Sequence, residues 1–211
     1  MSSAPVNFVT TRRNPSVSGL RETKKAATRT ALTRAAAEIA LEHGPEGLII
    51  AEIAARAGVS ARTFHNYFAS REEALLGFLS DQIRDLIDQL DELPEQMRLV
   101  EAVEHLVVEH LRTGEDELDS FGSLFRISEI IGALSPTPQH PDAGALVVPL
   151  LPAVHPRAPE LDEFEACVAI NTLATSVRVA LDWYYRLPEP RDIEVGAQLV
   201  RRACRMVRLD G

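Results

Sequence analysis

The sequence predicts an all-α protein: a small N-terminal domain with a helix-turn-helix, then a larger C-terminal helical domain. Three observations carry this. Apolar residues recur at spacings of three and four through long stretches broken by Gly and Pro, the period of amphipathic helices. Residues 50–71, IAEIAARAGVSARTFHNYFASR, read as a short helix, a glycine turn, a second short helix and a cationic exit. The charge reverses along the chain. Residues 1–71 hold 10 Lys/Arg and 5 Asp/Glu, whereas the remainder holds 12 and 26, so a net charge of −9 hides a basic head on an acidic body.

Residues 1–18 contain Ser, Thr, Asn, Pro and Arg12-Arg13 with little periodicity, and are expected to form a mobile arm in reach of a DNA groove. The first helix is expected from Leu20 to His43, with Leu32, Ala36, Ile39 and Ala40 inward and Gly44-Pro45 as its stop. In the next helix Ile50, Ile53, Ala54 and Ala57 make one apolar face. Gly58 turns the chain where a Cβ would hinder, and Val59 plugs the corner. Ser60 is placed to cap the second short helix, expected from Ala61 to Tyr67. Phe64 and Phe68, four residues apart, form its buried seam. A long helix begins near Arg71, with Glu72 and Glu73 favourable to its dipole, and ends at Leu93-Pro94. Further helices are expected over about Glu95–Arg112, Asp119–Leu134, Glu160–Arg186 and Asp192–Leu209. Between them, residues 135–159 hold seven prolines among apolar residues, consistent with a short helix near Asp142–Val148 and an irregular apolar cover.

The face of the second short helix opposite Phe64 and Phe68 is Ala61, Arg62, His65 and Asn66, with Thr63 at its border. Arg pairs with guanine O6 and N7, and Asn with adenine N6 and N7, so this face carries groups that read a DNA major groove. Tyr67 presents a hydroxyl on an apolar body, and Arg71 a charge at a helix start; both suit backbone phosphates. Lys24, Lys25 and Arg29 cluster on the first helix and suit phosphates too.

Residues 20–79 together resemble the N-terminal domain of TetR-type (TetR/AcrR) transcriptional regulators. The pieces are LRETKKAATRTALTRAAAEIALEHG, IAEIAARAGVS and RTFHNYFASREEALLGFL. The resemblance implies a homodimer joined by its two C-terminal helices in a four-helix bundle, acting on operator DNA, most often as a repressor. The string RTFHNYF is similar to a subgroup with acyl-CoA-like ligands. Two positions depart from the pattern. Leu48-Ile49-Ile50 stands where the family has a capping, phosphate-touching Thr, a contact that Thr30 or the backbone near Gly47 would have to replace. His65 stands where relatives have an aromatic residue.

No catalytic signature is present: no phosphate-cradling glycine loop, no G-x-S-x-G elbow and no H-E-x-x-H. Glu101, His105 and Glu109 form a helical stripe with His110 beside it, but a solvated face explains them better than a metal, and no metal or cofactor is expected. Cys167 and Cys204 are expected as free thiols in helices, and no apolar run is read as a membrane span, which fits a cytoplasmic protein. A small, largely apolar effector is expected in the second domain, with Phe121, Leu124, Phe125, Ile131, Trp183 and Tyr184 lining its cavity and Arg126 and Arg178 at its edge. The domain division expected is 1–18 for the arm, 19–71 for DNA binding with Ser60 and Thr63 among its contacts, and 72–211 for ligand binding and dimerisation. A DNA-binding protein without an effector and a helical enzyme remain as other classes.

Overall fold

A computed structural model describes residues 15–113, 117–134 and 147–207. Helix α1 spans Pro15–His43, α2 Ile50–Arg56, α3 Ala61–His65, α4 Arg71–Glu92, α5 Leu99–Thr113 and α6 Phe121–Leu134. A short α7, Leu151–Val154, lies between two 3-10 turns, and α8, Glu163–Tyr185, and α9, Ile193–Met206, complete the chain. No strand occurs among the described residues.

Several boundaries differ from expectation for local reasons. Helix α1 begins at Pro15, a residue suited to a first helical turn, so the last part of the expected arm is helical; residues 1–14 lie outside the described residues. Helix α5 begins only at Leu99, because Pro94–Met97 form a turn in which the Met97 amide donates to the Pro94 carbonyl (3.0 Å). Helix α8 begins at Glu163, where Asp162 and Glu165 form a reciprocal capping box. The helix expected near Asp142–Val148 falls mostly outside the described residues; Val148–Leu150 is a 3-10 turn. Helix α9 ends at Met206, and Leu209 lies outside the described residues.

The N-terminal core is built from α1, α2, α3, the first half of α4 and, in addition, α6. Leu32, Ile39, Leu48, Ile53, Phe64, Leu75, Phe78 and Leu79 are buried there together with Ile127 and Ile131 of α6. Full burial of side chains of this size stabilises by about 1.5–3 kcal/mol each. This core thus draws on α4 and α6, beyond residue 71, as well as on α1 to α3. Gly77 allows the close α1–α4 approach: a Cβ there would lie 3.0 Å from Thr33 Cγ2 and 3.3 Å from Phe68 Cε1. Polar ties join the same elements. Arg34 reaches Asp119 at 2.8 Å, Gln82 donates to Asp119 at 2.9 Å, and Arg126 of α6 donates to the Leu41 carbonyl at 3.1 Å.

The second core lies between α5, α8 and α9, around Val107, Val177, Leu181, Val200 and Cys204. Leu99, Val154, Ala166 and Leu173 extend it under α7. Both cysteines are free, Cys167 half-buried and Cys204 buried. Burial, helped by Glu104 nearby, raises the Cys204 thiol to about 11.

One buried charge stands apart. Arg157, 7% exposed, ends the turn after α7 and points into the C-terminal end of α4. Its guanidinium donates to the carbonyls of Leu90, Leu93 (2.9 Å), Pro94 (2.6 Å) and Met97 (3.3 Å). The end of a helix leaves carbonyls without intrahelical partners and carries partial negative charge, so a planar fork of N–H donors satisfies both. Arg157→Met should lower stability by roughly 1–3 kcal/mol in urea denaturation, because these carbonyls lose their donors. Arg157→Lys should recover only part of that, since one ammonium cannot span the same spread of oxygens.

Candidate nucleic-acid interface and ligand cavity

The turn between α2 and α3 is set by Gly58 at φ 71°, a left-handed conformation that costs glycine little. Ser60 then caps α3: its Oγ accepts from the Thr63 amide at 3.2 Å and lies 3.0 Å from Thr63 Oγ1. Phe64 and Phe68 turn inward, ring centroids 5.8 Å apart. Helix α3 ends at His65, earlier than the Tyr67 expected. Asn66 keeps a helical backbone as its C-cap (φ −77°, ψ −13°), so it continues the α3 surface. Tyr67 lies just beyond and is half-buried against the N-terminal core.

This leaves Ala61, Arg62, His65 and Asn66 exposed on one face. Among the described residues the side chains of Arg62 and Asn66 make no hydrogen bond or ion pair, and His65 touches only the edge of Phe64, centroids 5.6 Å apart. Lys24 and Lys25 are also exposed and unpaired on α1, and Thr30 is exposed further along it. These groups are available to an external polyanion.

Two cations expected at phosphates have other partners. Arg29 reaches Asp81 of α4 at 3.4 Å and lies over the Phe68 ring at 5.3 Å. Arg71 donates to the Leu48 carbonyl at 3.0 Å and to Glu72 at 3.1 Å, fastening the start of α4 to the segment before α2. That contact holds the segment where a capping side chain is missing: Ile49 is the N-cap of α2, makes no side-chain cap and is 50% exposed. Sequence reasoning saw the absent cap but not the arginine that ties the loop from the other side.

In the C-terminal domain a cavity of about 290 Å³ lies between five elements. Leu79, Ile83, Leu86 and Leu90 of α4 form one wall, and Leu99, Val103 and Val107 of α5 another. Phe121, Leu124, Phe125 and Ser128 come from α6, Val147, Leu150 and Val154 from the segment around α7, and Ile170, Asn171, Leu173, Ala174 and Val177 from α8. Of the residues expected at a ligand, the structure brings Phe121, Leu124 and Phe125 here and leaves the rest elsewhere. Ile131 is buried in the N-terminal core. Arg126 is spent on Leu41, and Arg178 pairs with Glu129 (3.3 Å) and Asp182 (3.4 Å) outside the cavity. Trp183 is 62% exposed on the outer side of α8. Tyr184 lines a separate cleft with His110 and Arg191, and its ring would meet a Cβ on Gly196 at 3.0 Å. Trp183 and Tyr184 were expected at the ligand, whereas the α4 residues from Leu79 to Leu90 that form one wall were not.

Among the described residues no group of His, Cys, Asp and Glu is placed to hold a metal ion; Glu109 of the helical stripe pairs with Arg112 at 2.9 Å. Helix α8 is, by length and composition, apolar enough to cross a membrane, with a mean hydropathy of 1.3 over its most apolar window, which corrects the expectation that no such run exists. Its apolar residues divide between the inner core and an outer stripe of Phe164, Val168, Val179 and Trp183, 75%, 48%, 44% and 62% exposed.

A helix-turn-helix with an exposed polar face on a helical body is an arrangement able to enter a DNA major groove. Residues 32–76 match the model for bacterial regulatory proteins of the tetR family. The chain matches that model over this N-terminal stretch, less than half of its length. It is similar to the HTH-type transcriptional regulator TcmR of Streptomyces glaucescens, 41% identical over 76 residues, which are 36% of this chain and 34% of that protein. The match thus spans about a third of the relative's length. The fold is similar to that of a TetR family transcription regulator from Marinobacter aquaeolei, with a TM-score of 0.55 and 19% identity over 86% of this chain and 97% of the other. A tetR-family regulator from Streptomyces coelicolor is similar to the same degree, with a TM-score of 0.53 and 19% identity over 83% of this chain and 78% of that one.

The two thiols offer a direct check on the packing. In the folded protein Cys204 should stay unreactive to a thiol-specific disulfide reagent at pH 8, because burial holds its pKa near 11, whereas half-buried Cys167 reacts first. Rapid, equal labelling of both would contradict the α5–α9 packing described. The raised thiol also contributes stability that is full below its ordinary value of 9.0 and lost as pH rises through about 11.

Proposed function

We propose that this protein is a DNA-binding transcriptional regulator that acts as a twofold dimer. The observation that carries this reading is the free polar face of α3, set beside unpaired Lys24 and Lys25 on an otherwise acidic protein. Arg62, His65 and Asn66 approach base edges, while Lys24, Lys25 and Thr30 meet phosphates. The acidic body disfavours other orientations on DNA.

Dimerisation supplies the second half-site. The outer stripe of α8 repeats at spacings that keep it on one side of the helix, and Val195 and Met206 of α9 are exposed as well, Met206 at 84%. Apolar residues in this density are costly to leave in water, and a second copy of the same surface covers them. Two α3 helices about one DNA turn apart, ~34–36 Å, then read two half-sites. Repression relieved by a molecule in the α4–α6–α8 cavity follows if that molecule favours a dimer with a different spacing of the reading helices. Such relief requires unequal affinity for the two states, since equal binding shifts nothing.

Binding to duplex DNA from the protein's own promoter region should exceed binding to random duplex and fall steeply with salt. Equal, salt-insensitive binding to both would remove the DNA reading. Asn66→Ala should cost roughly 1–3 kcal/mol and relax discrimination at one base pair; Lys25→Ala should weaken all sequences alike and lower the salt slope by about 1. Val179→Asp should weaken the dimer by at least about 2 kcal/mol in sedimentation equilibrium, and operator affinity with it. An unchanged monomer–dimer equilibrium would move the interface away from α8.

A further inference from the structure

We infer that the α4–α6–α8 cavity selects an uncharged, lipophilic molecule bearing a hydroxyl group, and that it rejects carboxylates and phosphate-bearing thioesters of the same apolar body. The inference rests on the reading of this cavity as the effector site. Its first ground is the absence of counter-charge. Among the described residues lining the cavity none is charged, and only Ser128 and Asn171 are polar. Of the arginines next to wall residues in sequence, Arg84 pairs with Asp81, Arg126 with the Leu41 carbonyl and Arg178 with Glu129 and Asp182, while Arg98 is exposed and does not line the cavity. An anion entering here gives up its hydration and meets no cation, a loss that apolar contact does not recover. Among the described lining residues a cation meets no carboxylate either.

The second ground is what the two polar groups still offer. Ser128 donates its only hydroxyl hydrogen to the Leu124 carbonyl at 2.9 Å, so its oxygen remains as an acceptor. Asn171 spends one amide hydrogen on the Cys167 carbonyl at 2.8 Å, which leaves its Oδ1 and one N–H. The two groups thus offer two acceptors and one donor, from half-buried Ser128 and solvent-exposed Asn171. A ligand hydroxyl both donates and accepts and is satisfied by such a set. A carboxylate has acceptors only; it finds one N–H and is repelled by the Ser128 and Asn171 oxygens.

A chain-matched series tests this on the purified full chain: 1-decanol, decanoate and decanoyl-coenzyme A, each below its aggregation threshold. Binding is read by calorimetry and by displacement of the neutral dye Nile red. At neutral pH decanol should bind about tenfold or more tighter than decanoate, and decanoyl-coenzyme A should show no saturable binding. Decanoate should gain on decanol as pH is lowered through its own carboxyl range, because the neutral acid regains a hydroxyl donor. Ala174→Trp, which fills the cavity, should abolish decanol binding and leave DNA binding intact. Decanoate or decanoyl-coenzyme A binding as tightly as decanol at neutral pH would overturn the inference, and so would a failure of all three to bind. Salt-dependent DNA binding measured on the same preparation without any probe keeps the outcomes apart. Its loss counts against the regulator itself, whereas its persistence with tight decanoate binding counts only against the neutral-ligand inference.

Discussion

Helix α4 must be buried by two different sets of neighbours at once, and the remaining architecture follows from that constraint. Its first half presents Leu75, Phe78 and Leu79 to the core that holds α1 and α3. Its second half presents Ile83, Leu86 and Leu90 to the cavity. Leu79 belongs to both. A rigid helix shared in this way cannot change its tilt in one place without repacking the other, because packed interiors rearrange between discrete states rather than deform continuously. Helix α6 reinforces the link. It places Phe125 on the cavity and Ile127 and Ile131 in the N-terminal core, a few residues apart.

The polar contacts divide along the same line. Arg29, Arg34 and Arg71 act inside the protein, joining α1 and the α2 entry to α4 and the Asp119 turn. Lys24, Lys25, Arg62 and Asn66 have no such role among the described residues. Cations with internal partners position the reading unit; those without partners are the ones an external polyanion can recruit without first breaking a contact. Sequence position does not distinguish them, since Lys25 and Arg29 share the same helix four residues apart.

The helices and the helix-turn-helix were legible because periodic apolar residues, Gly58 and the Ser60 cap are local signals whose meaning does not depend on distant contacts. The exposed polar face of α3 was legible too, since exposure opposite Phe64 and Phe68 follows from helical spacing. The cavity was legible only in part. Whether an apolar side chain fills a core or borders a void depends on how five elements meet, and a leucine at Leu86 or Leu90 looks the same either way. Trp183 and Tyr184 misled for the converse reason: size suggests a pocket wall, but position on α8 puts one outside and the other in a separate cleft. Arg157 was invisible, because nothing in HPRAP marks an arginine that turns inward onto carbonyls 60 to 67 residues earlier.

That arginine has a consequence under changing conditions. Its partners here are neutral backbone carbonyls rather than carboxylates. The contact is also sheltered from mobile ions, which screen exposed pairs such as Arg29–Asp81 far more strongly. Raising ionic strength therefore weakens the Arg29–Asp81 tie of α1 to α4 more than the Arg157 contact at the far end of α4. Salt thus acts unevenly along a single helix.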